Sequence, residues 1–477
     1  MKYSLLLFSK TKSSKVPTDP SLKLQGEALM KVNYKLAWIS TETSQNLQSS
    51  LQIAKGETSD SEQFLIIDDA VNNNNKIAEQ TDDNDIKIED NRGKRRRKFV
   101  FVFRYYEQLG MTTNNLLALA SFGKFERREV VAPFVNNSRM SGLSGGVSHH
   151  QRKQSVINFA PLNFYYDMDH FNTQLRTRGY STFTNLQDFA TSCNKRINVL
   201  VHFLYRDSTS MQQMTSWYGL QEREARFVYR QARANSGWIQ CPFIKKSKLA
   251  RQLGFKISSY ICVDPEIIKA MDELEKKVLR QCACLGIVLW KGNGTNRSHF
   301  PLHPLIKTPI RLSDLRFNSG LLQIATKFVK KYLREDFIAV HVRAERHYLW
   351  KGINVTMRCL RKLAKRVQEA QMRYKIPKVF LATDLTDYGS DTLINEGSDS
   401  ERTFLLRYLL KSLNRPVQFT PAGFLYDTGA IAIIEMHIVA AGSRLFTLGS
   451  GNFQNWIVDL FQQRHDARRT HRMCEMK

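Results

Sequence analysis

The stretch FIAVHVRAERH, Phe337 to His347, opens with four apolar residues and then turns to cations with a single acid. An apolar run bounded by charge reads as a strand buried on both faces, as in a parallel sheet. Such a strand needs crossover helices, and the sequence supplies them. LLQIATKFVKKYL (321–333) precedes it as a helix; RCLRKLAKRVQEA (358–370) follows as another. Strand KVFLATD (378–384), helix RTFLLRYLLKSL (402–413), strand VQF (417–419), helix GAIAIIEMHIVAAG (429–442), strand RLFTL (444–448) and helix NFQNWIVDLFQQR (452–464) continue the alternation. The pattern predicts an α/β fold with a doubly wound sheet.

The amino side repeats the rhythm. KFVFVF (98–103), MTTNNLLALASFGKF (111–125) and EVVAPF (129–134) read as strand, helix and strand, followed by a long polar loop at NNSRMSGLSGGVSHH (136–150). Strand INVLVHFLY (197–205), helices over 218–234 and 264–281, and strand CLGIVLW (284–290) come next. Glycine and proline accumulate at 292–309, a crossing between two lobes. The expected organisation is a disordered polar and basic tail over 1–97, one Rossmann-like domain over 98–310 and a second over 311–470, facing each other across a cleft.

Length and composition agree with a multidomain globular chain. There are 477 residues, 42% of them apolar, far above the apolar content of disordered polypeptides. The net charge of +27 favours an anionic partner: nucleic acid, an anionic membrane surface or a phosphorylated small molecule. GKRRRK (93–98) reads as a solvated linker edge, a nuclear address or a processing site. Seven scattered cysteines give no zinc spacing and no disulfide framework; one or two bridges would fit a lumenal enzyme. No segment is long and apolar enough to predict a transmembrane helix, and the short apolar patch near the start falls below a signal-peptide core. Sequons at Asn136, Asn293, Asn296 and Asn354 would be used only in the secretory pathway.

In open parallel sheets, ligands bind beyond the carboxyl ends of the strands. Two exits in the second lobe suit an anion there. His341 and Arg343 leave the first strand, and Gly449-Ser450-Gly451 leaves the last and opens a helix. An arginine fork and a glycine turn with exposed amides together describe a diphosphate site. Asp384 lies at the exit between them, and Glu435 sits in a helix apolar almost all round, where it needs a structural cation or a ligand's donors as partner. The competing D-x-D at Asp167 and Asp169 could hold a divalent cation on a diphosphate. Walker, G-x-S-x-G and H-E-x-x-H motifs are absent from the sequence.

FIAVHVRAE, KVFLATDLTDYGSDTL and AIIEMHIVAAGSRLFTLGSGNFQNWI resemble three consecutive motifs of the GDP-fucose protein O-fucosyltransferase superfamily, which includes plant-type members and α-1,6-fucosyltransferases. RKFVFVFRYYEQLGMTTNNLLALASFGKFERREVVAPF is similar to its first strand, glycine loop, helix and R-x-V-V-x-P strand. LNFYYDMDHF and FTNLQDFA add further likeness, so the resemblance runs patchily from about Lys98 to Arg464.

It implies a GT-B-like enzyme with the acceptor on the amino-terminal domain and GDP-fucose on the other, inverting, metal-independent and without a cofactor. The acceptor would be a protein hydroxyl or a glycan, with no nucleic acid as partner. By position, Arg343 would be catalytic at the β-phosphate, with His341 beside it. Glu435 would contact guanosine, Asp384 would lie at the rim of the nucleoside pocket, and Ser450 with Gly451 would hold the phosphates. Gly110 and Asn114 would face the sugar or acceptor. A secretory-pathway lumen is implied, with the cytoplasm as the other expectation because no signal is visible. Met111 stands where relatives carry asparagine, and Asn452 where many have serine. A thioether lacks an amide's donor, which keeps open a weak or inactive GDP-sugar- or glycan-binding homologue, or a glycan-directed enzyme.

Overall fold

A computed structural model describes residues 97–475 except 106–107, 144–158, 204–220, 242–253, 265–266, 269–273, 281, 289–310, 312–313, 335, 387–398 and 422–426. The tail expected over 1–97 lies outside the described residues up to 96, as do most of the lobe crossing and part of the helix expected over 264–281. The described residues belong to one compact unit, Ile88–Lys477.

The first sheet begins with β1 (Lys98–Arg104), whose apolar residues are all buried, and is followed by helix α1 (Leu109–Phe125). Strands β2 (Arg128–Val131), β3 (Phe134–Asn136), β4 (Arg139–Ser141) and β5 (Ala160–Pro161) come next. Helix α2 (Met168–Thr177), β6 (Phe183–Thr184), α3 (Leu186–Ser192), β7 (Arg196–Phe203) and α4 (Glu222–Ala234) precede β8 (Trp238–Gln240), β9 (Lys256–Val263) and β10 (Cys284–Val288). The parallel core runs β6-β2-β1-β10-β7-β9, with β8 antiparallel at one edge and β4 and β3 antiparallel beyond Arg104.

Helix α5 (Ser319–Phe328) passes into a π-helical turn (Val329–Leu333) and leads to the second sheet. There, β11 (Phe337–Val342) is followed by α6 (Ala344–Lys351), α7 (Ile353–Tyr374), β12 (Lys378–Thr383) and α8 (Asp399–Ser412). Helix α9 (Thr428–Ala440), β13 (Arg444–Leu448), α10 (Asn452–Gln462) and β14 (Thr470–Met473) complete it. All four strands are parallel in the order β12-β11-β13-β14. Alternate residues of β11 serve opposite layers. Phe337 and Ala339 join the core with α9 and α10, whereas Ile338, Val340 and Val342 pack with Leu360, Leu363 and Val367 of α7. The architecture of the described residues is thus α/β, with a mixed first sheet and a parallel second sheet.

Several expectations are corrected. VQF is no strand: Pro416 removes a donor, and Val417 makes an isolated bridge to Phe380. The fourth strand is β14, whose polar residues hide it from an apolar reading. The expected long loop from Asn136 holds a tight hairpin instead, because Asn137 (φ 46°) and Ser138 (φ 65°) adopt the left-handed conformations of a two-residue turn. That turn docks on the start of α9. Asp427 accepts from the amides of Gly429 and Ala430 at 2.9 Å, from Asn137 N at 2.6 Å and from the Tyr165 hydroxyl at 2.5 Å, tying the first sheet to the second.

The cysteines also form more bridges than expected: Cys193–Cys284, Cys241–Cys262 and Cys359–Cys474, with buried Cys282 free. Spacing hid them because the pairs lie 91, 21 and 115 residues apart and meet only once the sheets form.

Candidate active site

β11 and β13 are hydrogen-bonded neighbours, so their exits lie side by side. Arg343 follows β11 and donates its amide to Leu448 O at 2.9 Å, fixing the two exits together. Its guanidinium reaches across to Ser450 O, with Nη1 at 3.2 Å. Gly449 (φ 98°) and Gly451 (φ 134°) have backbone conformations that side chains resist. Their missing side chains also make room: a Cβ at Gly449 would stand 2.7 Å from Arg343 O, and one at Gly451 would overlap Arg343 Nη1. Arg343, Ser450 and Gly451 therefore form one surface.

Helix α10 starts directly from Gly451 with no side-chain cap and no acid in its first turn. Helix α1 starts from Gln108, also without a side-chain cap or early acid. The two amino termini meet, with Gly110 against Phe453 and Asn452 Nδ2 3.8 Å from the Met111 sulfur. Their first amides carry partial positive charge next to the guanidinium, an arrangement suited to phosphate oxygens. Gly110 is not in a loop as expected: it lies buried in the first turn of α1, which begins at Leu109. Asn114, one turn on, is exposed, while Asn115 is buried.

Asp384 leaves β12 and caps the neighbouring helix. Its carboxylate accepts from Ala344 N at 2.9 Å and Glu345 N at 3.3 Å, so it positions the start of α6 immediately behind Arg343. Burial pushes its pKa up to about 6 despite the nearby Arg343, with Glu345 adding to the rise. His341 is buried, and burial together with Arg343 pushes its pKa down to about 3, so the imidazole is neutral at pH 7. Among the described residues its Nδ1 has no hydrogen-bond partner, and neither does the buried Thr447 hydroxyl opposite it on β13. The Phe453 ring stands edge-on to His341, with centroids 6.2 Å apart.

Glu435, halfway along α9, has no hydrogen bond or ion pair among the described residues, and burial pushes its pKa up to about 8. The folded state thus keeps a proton that the unfolded state surrenders near the ordinary value of 4.5. Stability should fall as pH rises between about 4.5 and about 8, by at most about 1.4 kcal/mol per pH unit. Glu435→Gln should flatten that decline and raise Tm above pH 7, as followed by thermal unfolding across pH.

Other residues were invisible to motif reading. Gln454, almost fully buried, donates to Gly449 O at 2.9 Å and braces the glycine turn from within α10. Its position in the first turn of a helix was the available signal. Asp167 of the D-x-D accepts from His170 N at 3.0 Å as the cap of α2, which gives the motif a structural use. Among the described residues no group of three or more His, Cys, Asp or Glu could hold a metal ion, and no helix is long and apolar enough to cross a membrane.

No family model matches the chain, and no curated protein matches it. Among solved structures it is similar to POFUT1 in complex with GDP-fucose, with TM-score 0.43 and 12% identity over 79% of this chain and 98% of that one. POFUT1 in complex with GDP gives TM-score 0.43 and 14% identity over 80% and 98%. NodZ alpha-1,6-fucosyltransferase co-crystallized with GDP gives TM-score 0.20 and 16% identity over 39% and 55%.

Proposed function

We propose that the protein transfers fucose from GDP-fucose to a protein serine or threonine hydroxyl, with inversion and without a metal. The observation that carries this reading is the Arg343 guanidinium lying against Gly451 at the uncapped start of α10. A fixed cation beside free amides is built for a diphosphate, and the motif resemblance narrows the diphosphate to GDP-fucose. The acceptor oxygen attacks the sugar's anomeric carbon opposite the diphosphate while the carbon–phosphate-oxygen bond breaks. Arg343 and the amides meet the negative charge that grows on departing GDP, and the hydroxyl proton passes to a base. Preorganised donors there do what a divalent cation does in metal-dependent transfer.

In this reading Ser450 and Gly451 hold the phosphates, neutral His341 lines the nucleotide site and Asp384 positions the Arg343 turn. Gly110 and Asn114 bound the sugar and acceptor side. Glu435 receives guanine's N1–H and exocyclic amine, donors that favour an ionised carboxylate, so GDP binding near pH 7 should release a proton. The three disulfides support an oxidising, secretory compartment.

A second reading, an inactive GDP-sugar binder, is favoured by Met111, whose sulfur occupies Asn452 Nδ2. Melting temperature is to be measured with GDP-fucose, GDP, UDP-sugars and ADP. Only the guanine diphosphates should raise it, by several degrees at saturating ligand. An equal response to ADP or UDP-sugars, or none to GDP, overturns nucleotide selectivity. Fucose release or transfer then separates the enzyme from the silent binder.

A further inference from the structure

Helix α7 carries six basic residues and one acid in 22 residues. Arg358, Arg361, Lys362 and Lys365 recur at i, i+3, i+4 and i+7, which places them on one face over two turns, about 10 Å of helix. All four are exposed, and none forms a hydrogen bond or ion pair among the described residues. The acid, Glu369, is turned to Arg366 at 3.2 Å and leaves the stripe unneutralised. Cations in a helix's last turn complement its dipole, but these lie in the middle of α7, so the dipole does not account for them. Four like charges at this spacing repel one another and weaken the isolated helix. The stripe serves no purpose in the site: it projects from the opposite side of α7 to Leu360, Leu363 and Val367, which pack on the sheet.

We propose that this face of α7 docks a sulfated polysaccharide. Its linear run of permanent charge complements a chain of sulfate esters, and arginine forks match sulfate oxygens two at a time. The apolar face of α7 is already buried in the protein core, so the helix has nothing to insert into a bilayer as an interfacial helix does. Three disulfides fit an oxidising compartment, where sulfated glycans are the abundant soluble polyanions and nucleic acids are scarce. The surface is separate from the nucleotide site and does not depend on the function proposed for it.

The test is binding of the full chain to immobilised heparin across a salt series. Arg358→Gln, Arg361→Gln, Lys362→Gln and Lys365→Gln are combined in one variant. An equally discharged control combines Arg196→Gln, Arg223→Gln, Arg230→Gln and Lys256→Gln, all exposed elsewhere. The stripe variant should lose roughly tenfold or more in affinity at physiological salt, with a log–log salt slope shallower by about three. The control should bind like the unaltered chain, and both variants should keep any thermal response to GDP. Equal loss in both variants, or loss in neither, overturns the proposal. So does tighter stripe-dependent binding to duplex DNA or to phosphatidylserine vesicles than to heparin.

Discussion

Under the proposed function, replacing Arg343 by alanine is expected to lower fucose transfer by about 10² to 10³-fold while the chain stays folded. The guanidinium is fixed from two sides: its backbone amide is tied to Leu448 O, and Nη1 bonds Ser450 O. It therefore pays little reorganisation when charge develops on the leaving diphosphate. Arg343→Lys should rescue poorly, because an ammonium offers no planar fork to two oxygens. The companion substitution separates position from charge. A methyl group at Gly451 would overlap Arg343 Nη1 and force the guanidinium aside, so Gly451→Ala should reproduce much of the loss with Arg343 still present. Transfer rate, GDP affinity and circular dichroism are the measurements. Near-normal transfer in a folded Arg343→Ala protein would remove Arg343 from the chemistry and with it the proposed reading of the site.

That Arg343 and Gly451 would meet was legible because each follows an apolar run that can only be a buried strand, and adjacent parallel strands bring their exits together. β11, β12 and β13 were readable for the same reason: their burial is continuous, so the apolar run is unbroken. What the sequence concealed depends on long-range partners. Helix α6, in AERHYLWK, has no apolar stripe, and its start is set by Asp384 from a different strand. β14 is THRM, a polar edge held by pairing to β13 and by the Cys359–Cys474 bridge next to it. The Asn137–Ser138 hairpin looked like a loop because three-residue strands show too few alternations to establish a period, although Asn-Ser is turn chemistry. Glu435 stood out from its sequence alone, since a carboxylate in an apolar helix is conspicuous. Gln454 did not, since a glutamine near a helix start is commonplace.

The Arg128 side chain carries the second large expected effect, on stability. In the R-x-V-V-x-P segment it is among the largest fully buried side chains, and its pairing is long-range. Nη2 meets Glu275 Oε1 at 2.6 Å and Leu279 O at 3.0 Å, and Nη1 donates to Cys282 O at 2.7 Å. The guanidinium thus gathers the carbonyls at the end of the π-helical turn Glu275–Leu279 and binds that turn to β2, while free Cys282 precedes β10 and bridged Cys284 opens it. Arg128→Met keeps the volume but takes from buried Glu275 its close partner, leaving only Lys98 Nζ at 3.7 Å, together with orphaned carbonyls. The expected cost is about 3–5 kcal/mol, enough to erase much of a typical domain's stability. Adding Glu275→Leu should recover part of it, because a buried pair replaced as a whole is far less damaging than one broken in half. Equilibrium denaturation of the unaltered, single and double variants measures the coupling. A loss in Arg128→Met that Glu275→Leu does not relieve would assign Arg128's contribution to the carbonyls of Leu279 and Cys282, leaving the ion pair with none.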